Sequence, residues 1–546
     1  MAPELPLQNP GPDGGRKRRP RLRPLFWTAA AIAVVALAAY LRFRPISGAL
    51  PYSDYIDEGY VLNQTIDHLN RKSYDCDYYN YPPLPSYLTA GALITWNPIY
   101  RLLHGHRLYK DLPRDPVRMT PLGHNYNLLA PLDVIVAGRI IVAMASVITV
   151  IVAGMLAMRL AGSQAALIAM LLCGVCPALV FRGSTMIVDS LATLFALGSI
   201  YAAERLRAVA NLPAAWRNVV LGATGAALAA DSKYTVGLAV IPLVLVILTR
   251  PFSVRQKLGL LGLAGLTLAT VAICCAPALI LHPDKILNEL RLVAQLYRNV
   301  QLPDTYWQAA LSELELGRGL VACGLAGVIA MLFSRRVRPV ALGWLLFAAM
   351  LVLPLVRYRH QPFRNLLPLV PLLCVSAAVL LASRQVLWGV FQRSRVPAIV
   401  MTIIAAAISI KAYTISSRYV RDRLGRVDTR VLAVDWLAAH ARPGERVLAL
   451  RELVFVPAEL ARIPATVQEV SILDGAGVLA GGQFDYIIDA DIERGTDDPS
   501  WKPRVDEFQA AVSSLPIVAN IGTDSTAPFP HIWRGWNQRV IIRRAR

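Results

Sequence analysis

Long apolar runs alternate with short, arginine-bearing connections along most of the chain. The first run covers 25–41. Others lie near 134–158, 164–181, 186–203, 218–232, 234–249, 258–281, 317–333, 339–356, 365–382 and 396–415. A hydrocarbon core of about 30 Å is crossed by roughly 20 apolar residues in a helix rising ~1.5 Å per residue. Within lipid the backbone must satisfy its own hydrogen bonds, so apolar runs of this length must be helical. The pattern predicts an all-α polytopic membrane protein with about 11 transmembrane helices.

Three polar or mixed stretches interrupt it. Residues 1–24 are rich in Pro and Gly and end in Arg16, Lys17, Arg18, Arg19, Arg21 and Arg23. They read as a disordered basic tail on the cytoplasmic side, and no small-residue cleavage site after the first run marks a signal peptide. A long first outer loop spans 42–133. Its amphipathic stretch 60–69 and its apolar stretch 84–103, broken by Pro85, Gly91 and Pro98, predict interfacial helices. The segment 282–316 is polar with helical periodicity. The last segment, 416–546, predicts a small α/β C-terminal soluble domain, with a helix at 431–440 and strands at 446–450, 484–489 and 539–543. The expected division is a tail (1–24), a transmembrane domain (25–415) and an extracytoplasmic domain (416–546).

Composition agrees with the pattern. Of 546 residues, 55% are hydrophobic and only 17% charged, too few for a soluble surface of this size. The formal net charge of +20 does not point to nucleic acid, because the basic residues sit in the short connections. With the N-terminus inside, Arg159, the group Arg205, Arg207 and Arg217, and the group Arg335, Arg336 and Arg338 all fall on the cytoplasmic side. An odd number of spans then puts the C-terminal domain outside, and the alanine- and arginine-rich composition suits a bacterial cell membrane. Of seven cysteines, six lie inside apolar runs and Cys76 lies in the first outer loop, so no disulfide framework is expected.

The chemistry concentrates outside the first span. There Asp57-Glu58 precedes the amphipathic stretch, and Tyr81-Pro82-Pro83-Leu84 follows it. Two prolines fix φ and remove donors, making a rigid corner that can bring the apolar segment back beneath the acidic pair. This order resembles the C-type membrane glycosyltransferases, in particular the branch of protein O-mannosyltransferases and of the enzymes that add aminoarabinose to lipid A. Gly138-Arg139-Ile140, Val188-Asp189-Ser190-Leu191, the run from Gly222 to Asp231-Ser232-Lys233-Tyr234, and Arg364-Asn365-Leu366-Leu367-Pro368 continue the resemblance in order over about 25–415. The chain departs from the pattern at Asn365, where the family often carries Tyr.

The resemblance implies a polyprenyl-phosphate sugar donor, an outward-facing acidic residue as catalytic base, and inversion at the anomeric carbon. Chemistry supports the assignment. A carboxylate within hydrogen-bond reach can take the proton of an acceptor hydroxyl as the new bond forms, and Asp57 is placed for that role. Glu58 either orients the acceptor or, with Asp57, binds a divalent cation; no cofactor is otherwise implied. The leaving phosphate gains negative charge and needs positioned cations. Lys233, in a very short turn between apolar runs, and Arg357, Arg359 and Arg364, in an outer loop against the positive-inside trend, are the candidates. Tyr81, Pro82, Pro83, Asp189 and Tyr358 support the site, with Asp189 paired to one of the cations or to substrate; Arg182 is a further candidate partner. His104, His106 and His124 match no metal spacing. The acceptor can be protein, lipid or glycan.

The competing reading is a transporter or flippase of a lipid-linked saccharide. Such a protein should carry ionisable residues near mid-bilayer, whereas the notable charges here lie at span ends. A degenerate relative that only scaffolds a partner is a third reading, and the intact Asp57-Glu58 pair speaks against it.

Overall fold

The computed structural model describes residues 22–48, 50, 52, 56–72, 79–105, 132–209, 211–299, 305–358, 361–382, 396–425, 427–453, 455–490, 502–522 and 539–545. The first helix, α1 (Leu22–Phe43), is followed by α2 (Ile56–Arg71) and α3 (Leu84–His104) of the first loop. Then come α4 (Leu132–Ala161), α5 (Ser163–Val175), the short α6 (Pro177–Arg182), α7 (Val188–Arg207) and α8 (Leu212–Ser232). A 3₁₀ helix (Tyr234–Val240) leads into α9 (Ile241–Thr249), and α10 (Val254–Cys275) starts on a capping box between Ser253 and Gln256.

Prolines set the breaks inside the expected runs. Pro177 opens α6 after α5, Pro277 ends the run of α10, and Pro368 lies in a 3₁₀ helix (Phe363–Leu369) ahead of the helix Val370–Ala382. By length and hydropathy, six described segments can cross a membrane: Leu25–Phe43, Val134–Ala161, Val254–Cys275, Arg338–Leu355, Phe363–Ala382 and Ile399–His440. Ser163–Val175, Tyr234–Thr249 and Arg318–Phe333 are apolar but shorter. The α7 and α8 helices are long enough, but they bury polar side chains among their alanines, including Asp189 and Glu204 in α7 and Asn218 and Asp231 in α8. The chain is a multi-pass membrane protein.

Small residues let the helices approach. A Cβ on Gly225 of α8 would stand 2.9 Å from the backbone nitrogen of Ser199 in α7. Gly138 of α4 faces the Met186 side chain in the same way, which draws the segment before α7 against α4. One buried cluster runs from Ala38 of α1 through α4, α5 and α7 to Phe347 and Leu367. Arg42, at the end of α1, is fully buried and donates to Ser146 Oγ (2.6 Å) and to the carbonyls of Cys173 (3.0 Å) and Gly174 (2.8 Å). It thereby satisfies carbonyl groups near the C-terminal end of α5 that the break before Pro177 leaves without helical partners.

The C-terminal part holds a five-stranded sheet. Its strands are β1 (Arg446–Leu450), β2 (Thr466–Val470), β3 (Tyr486–Ala490), β4 (Ile517–Ile521) and β5 (Val540–Arg544), in the order β2-β1-β3-β5-β4. The β1 strand pairs in parallel with β2 and β3, and β5 runs antiparallel to β3 and β4. Residues 446–450, 484–489 and 539–543, expected as strands, coincide with or overlap β1, β3 and β5. Tyr52, just after α1, ties this part to the bundle. Its hydroxyl accepts from the Val456 amide at 3.3 Å, and the Arg430 guanidinium lies 3.7 Å from its ring centre.

Candidate active site

The α2 helix begins with Ile56-Asp57-Glu58, which sets both carboxylates in its first turn, where the helix dipole favours negative charge. Consecutive residues on a helix diverge by about 100°, and the two side chains go to different partners. Glu58 receives Arg139 in a two-pronged pair, Nε to Oε1 at 2.8 Å and Nη2 to Oε2 at 2.7 Å, and its Oε1 also accepts the Met186 amide at 2.6 Å. Arg139 spends its remaining reach on the carbonyls of Ile46 (2.7 Å) and Gly48 (2.9 Å). Burial works to raise the Glu58 carboxyl. The Arg139 charge and its hydrogen bonds, helped by Arg423 and the Met186 amide, outweigh it and hold the group at about 2.

Asp57 is also buried. The Tyr81 hydroxyl donates to its Oδ1 at 3.2 Å, and Arg364 pairs with its Oδ2. The Pro82-Pro83 corner explains why Tyr81 arrives there. Both prolines are buried, Pro83 precedes the first turn of α3, and the Tyr81 carbonyl is held by Gln64 Nε2 of α2 at 3.0 Å.

Lys233 closes α8 in an extended conformation. Its Nζ donates to Asp189 Oδ1 at 2.6 Å and to Asn365 Oδ1 at 2.7 Å. Asn365 in turn donates through Nδ2 to the hydroxyls of Tyr306 (3.1 Å) and Tyr297 (3.3 Å). Burial pushes the Tyr306 phenol up to about 12, so the hydroxyl keeps its proton. Arg364 and Asn365 are consecutive in the Phe363–Leu369 helix. The acidic first loop and the Lys233–Asp189 pair therefore meet on one short segment.

The other expected residues fall around this centre or away from it. Tyr358 packs edge-on against Tyr297, with ring centres 5.9 Å apart. Arg357 is exposed on the turn after the helix Arg338–Leu355, and Arg359 lies outside the described residues. Arg182 does not partner Asp189. It forms a two-pronged pair with Glu315 at 2.5 and 2.7 Å, and its guanidinium lies 5.4 Å from the Phe363 ring centre. Asp189 goes to Lys233 because the N-terminus of α7 faces the end of α8, whereas Arg182 precedes the turn and points toward the Glu315 segment.

The two neighbouring carboxylates each answer their own arginine, Asp57 with Arg364 and Glu58 with Arg139. Among the described residues no group of three His, Cys, Asp or Glu side chains is close enough to hold a metal. His104 is exposed beside Tyr100, and His106, His124 and Cys76 lie outside the described residues. The role of Arg139 as the partner of Glu58 was missed in the sequence, although a charge inside an apolar run is a signal in itself. Nothing in the sequence marks Tyr297 or Tyr306.

Residues 128–281 match the family model described as dolichyl-phosphate-mannose-protein mannosyltransferase. No curated protein sequence matches the chain. Among solved structures, ArnT from Cupriavidus metallidurans bound to undecaprenyl phosphate aligns with a TM-score of 0.54 at 14% identity, covering 95% of this chain and 98% of that one. The same protein in the apo state gives 0.53 at 13%, covering 95% and 97%. The Archaeoglobus fulgidus oligosaccharyltransferase gives 0.54 at 12%, covering 94% of this chain and 78% of that one.

Proposed function

The chain has the fold of the C-type integral membrane glycosyltransferases, and from that premise we propose that it moves a sugar from a polyprenyl-phosphate donor to an acceptor hydroxyl on the extracytoplasmic face. The observation that carries the reading is the buried Asp57 carboxylate, joined to Arg364 and so to the adjacent Asn365–Lys233–Asp189 group. Two carboxylates, Asp57 and Asp189, and two cations, Arg364 and Lys233, stand around a single short segment.

In this reading Asp57 is the base. The acceptor oxygen attacks the anomeric carbon from the face opposite the phosphate, and its proton passes to Asp57. The bond from carbon to phosphate oxygen breaks with its electron pair going to the phosphate, so the configuration inverts. Arg364 and Lys233 stabilise the charge arriving on the phosphate, and Arg357 and Arg359 are further cations that the sequence offers for it. Glu58, gripped by Arg139, shapes the loop rather than touching substrate. Tyr81, Pro82, Pro83, Asp189 and Tyr358 position the groups that do. On the topology that the charge pattern predicts, with about 11 crossings, residues 1–24 in the cytoplasm and 416–546 outside, the site would lie at the outer rim of a cell membrane, within reach of a lipid-anchored donor. Retention of ArnT's fold, in a protein solved with undecaprenyl phosphate, supports the donor class.

The test incubates the purified protein in lipid with a panel of radiolabelled polyprenyl-phosphate sugars and membrane extract, beside Asp57→Asn. Transfer by the native protein and its loss in the variant are expected. Equal transfer by both would remove Asp57 from the role of base. No turnover with any donor, together with movement of one between vesicle leaflets, would make the protein a transporter.

A further inference from the structure

We propose that Arg364 serves two anions in turn, the Asp57 carboxylate and the phosphate of the polyprenyl carrier, so that arrival of the phosphate is what releases the base. The inference rests on the reading of the site given above.

Three observations support the exchange. Arg364 pairs directly with Asp57, and of the two side chains the guanidinium is the more exposed, at 12% against 5%. The backbone that carries it is fixed on both sides. Phe363 is buried beside Arg182, and Asn365 is held by Lys233, Tyr306 and Tyr297. Changing partners therefore needs only a rotation of the Arg364 side chain, not a movement of the segment. Lys233, whose ammonium is shared between Asp189 and Asn365, holds the far side of the same segment.

The charge balance of the reaction gives the exchange its driving force. A carboxylate paired with a guanidinium holds a proton less readily, so a base that stays paired is a weak one. During transfer the acceptor O–H bond breaks, the new glycosidic C–O bond forms, and the C–O bond to the carrier phosphate breaks. Asp57 goes from one negative charge to none as it gains the proton. The phosphate goes from a singly charged diester to a monoester with close to two charges at neutral pH. Negative charge thus leaves one partner of Arg364 and appears on the other. Phosphate and carboxylate both suit the planar guanidinium fork, which lets one residue serve both. Tyr81 stays on Oδ1 throughout and keeps the released carboxylate oriented.

Binding of undecaprenyl phosphate to the full-length protein in nanodiscs tests this without any turnover. If Asp57 competes for Arg364, Asp57→Asn tightens binding about five- to tenfold, Arg364→Gln weakens it by a similar factor, and Asp57→Asn changes nothing in the Arg364→Gln background. Tyr81→Phe gives an independent reading in the opposite direction. The carboxylate loses a donor, grips Arg364 harder, and weakens binding about two- to threefold, only while Arg364 is present. Size-exclusion profiles establish that each variant folds; if Asp57→Asn does not, Tyr81→Phe carries the test. Unchanged or weaker binding by a folded Asp57→Asn, or additive effects across the cycle, would overturn the exchange. Loss of transfer by that variant with unchanged affinity would overturn it while leaving Asp57 as the base. Failure of the native protein to bind undecaprenyl phosphate would count against the carrier itself.

Discussion

Lys233 donates to Asn365 at 2.7 Å, and the residue immediately before Asn365 is the arginine that pairs with Asp57. A lysine from the end of α8 and a carboxylate from the start of α2, 176 positions apart by their numbers, are thereby set around one turn of 3₁₀ helix.

Asn365→Asp should disable the site without unfolding it. The new carboxylate keeps Lys233 through an ion pair, and the Tyr306 hydroxyl, which accepts from the native Asn365 amide, can turn to donate to its second oxygen. It also adds a negative charge where the donor phosphate must sit. Steady-state kinetics should show the donor KM rising about tenfold or more, with a smaller change in kcat, which is the sign of impaired binding. An unchanged KM would mean that the phosphate lies elsewhere.

Glu58 and Arg139 are both almost fully buried, with side-chain exposures of 1% and 0%. Removing one partner leaves an uncompensated buried charge, at a cost of about 3–5 kcal/mol. Glu58→Gln and Arg139→Met should each lower the thermal midpoint in detergent markedly. The double variant should be closer to the native protein than the sum of the two. Simple additivity would show that the pair is not coupled.

The same pair predicts an acid limit. Glu58 is held at about 2, below the ordinary 4.5 of a free glutamate. A carboxyl depressed in the folded state contributes stability that is complete above its unfolded value and disappears as pH falls through its folded one. That contribution should fade between about pH 4.5 and pH 2. Thermal midpoints measured across this window should fall less steeply for Glu58→Gln than for the native protein. Parallel curves would exclude Glu58 as a source of the acid lability.

Gly138 faces the Met186 side chain across the α4 contact, and the Met186 amide is a ligand of Glu58. Gly138→Val should push that segment away from α4, at a cost of about 1–3 kcal/mol from overpacking. It should also reduce transfer, since α2 carries both Glu58 and Asp57. Gly259→Val is a control, because a side chain there meets nothing within 4 Å. Equal loss of transfer in both would remove the local explanation.

Much of the architecture was legible because membrane physics leaves few choices. A backbone in lipid must be helical, so apolar runs such as those at 134–158 and 339–356 announce α4 and the helix Arg338–Leu355. Prolines that cannot donate mark where runs break, as at Pro177 and Pro277. The order of Asp57-Glu58, Tyr81-Pro82-Pro83 and Lys233 also pointed to residues that the fold gathers, because each stands at a chain position where a polar group next to apolar runs calls for explanation.

What the sequence could not decide was who faces whom. Asp57 and Glu58 are neighbours in the chain, yet the helix turns one toward Arg364 and the other toward Arg139. Arg182 lies seven residues before Asp189 but pairs with Glu315, while Lys233 crosses from another helix to take its place. Hydropathy fixes which stretches enter the bilayer and costs every buried charge its solvation. Which opposite charge offsets that cost depends on helix rotation and packing, set by contacts such as Gly225 against Ser199, and these exist only once the bundle has assembled.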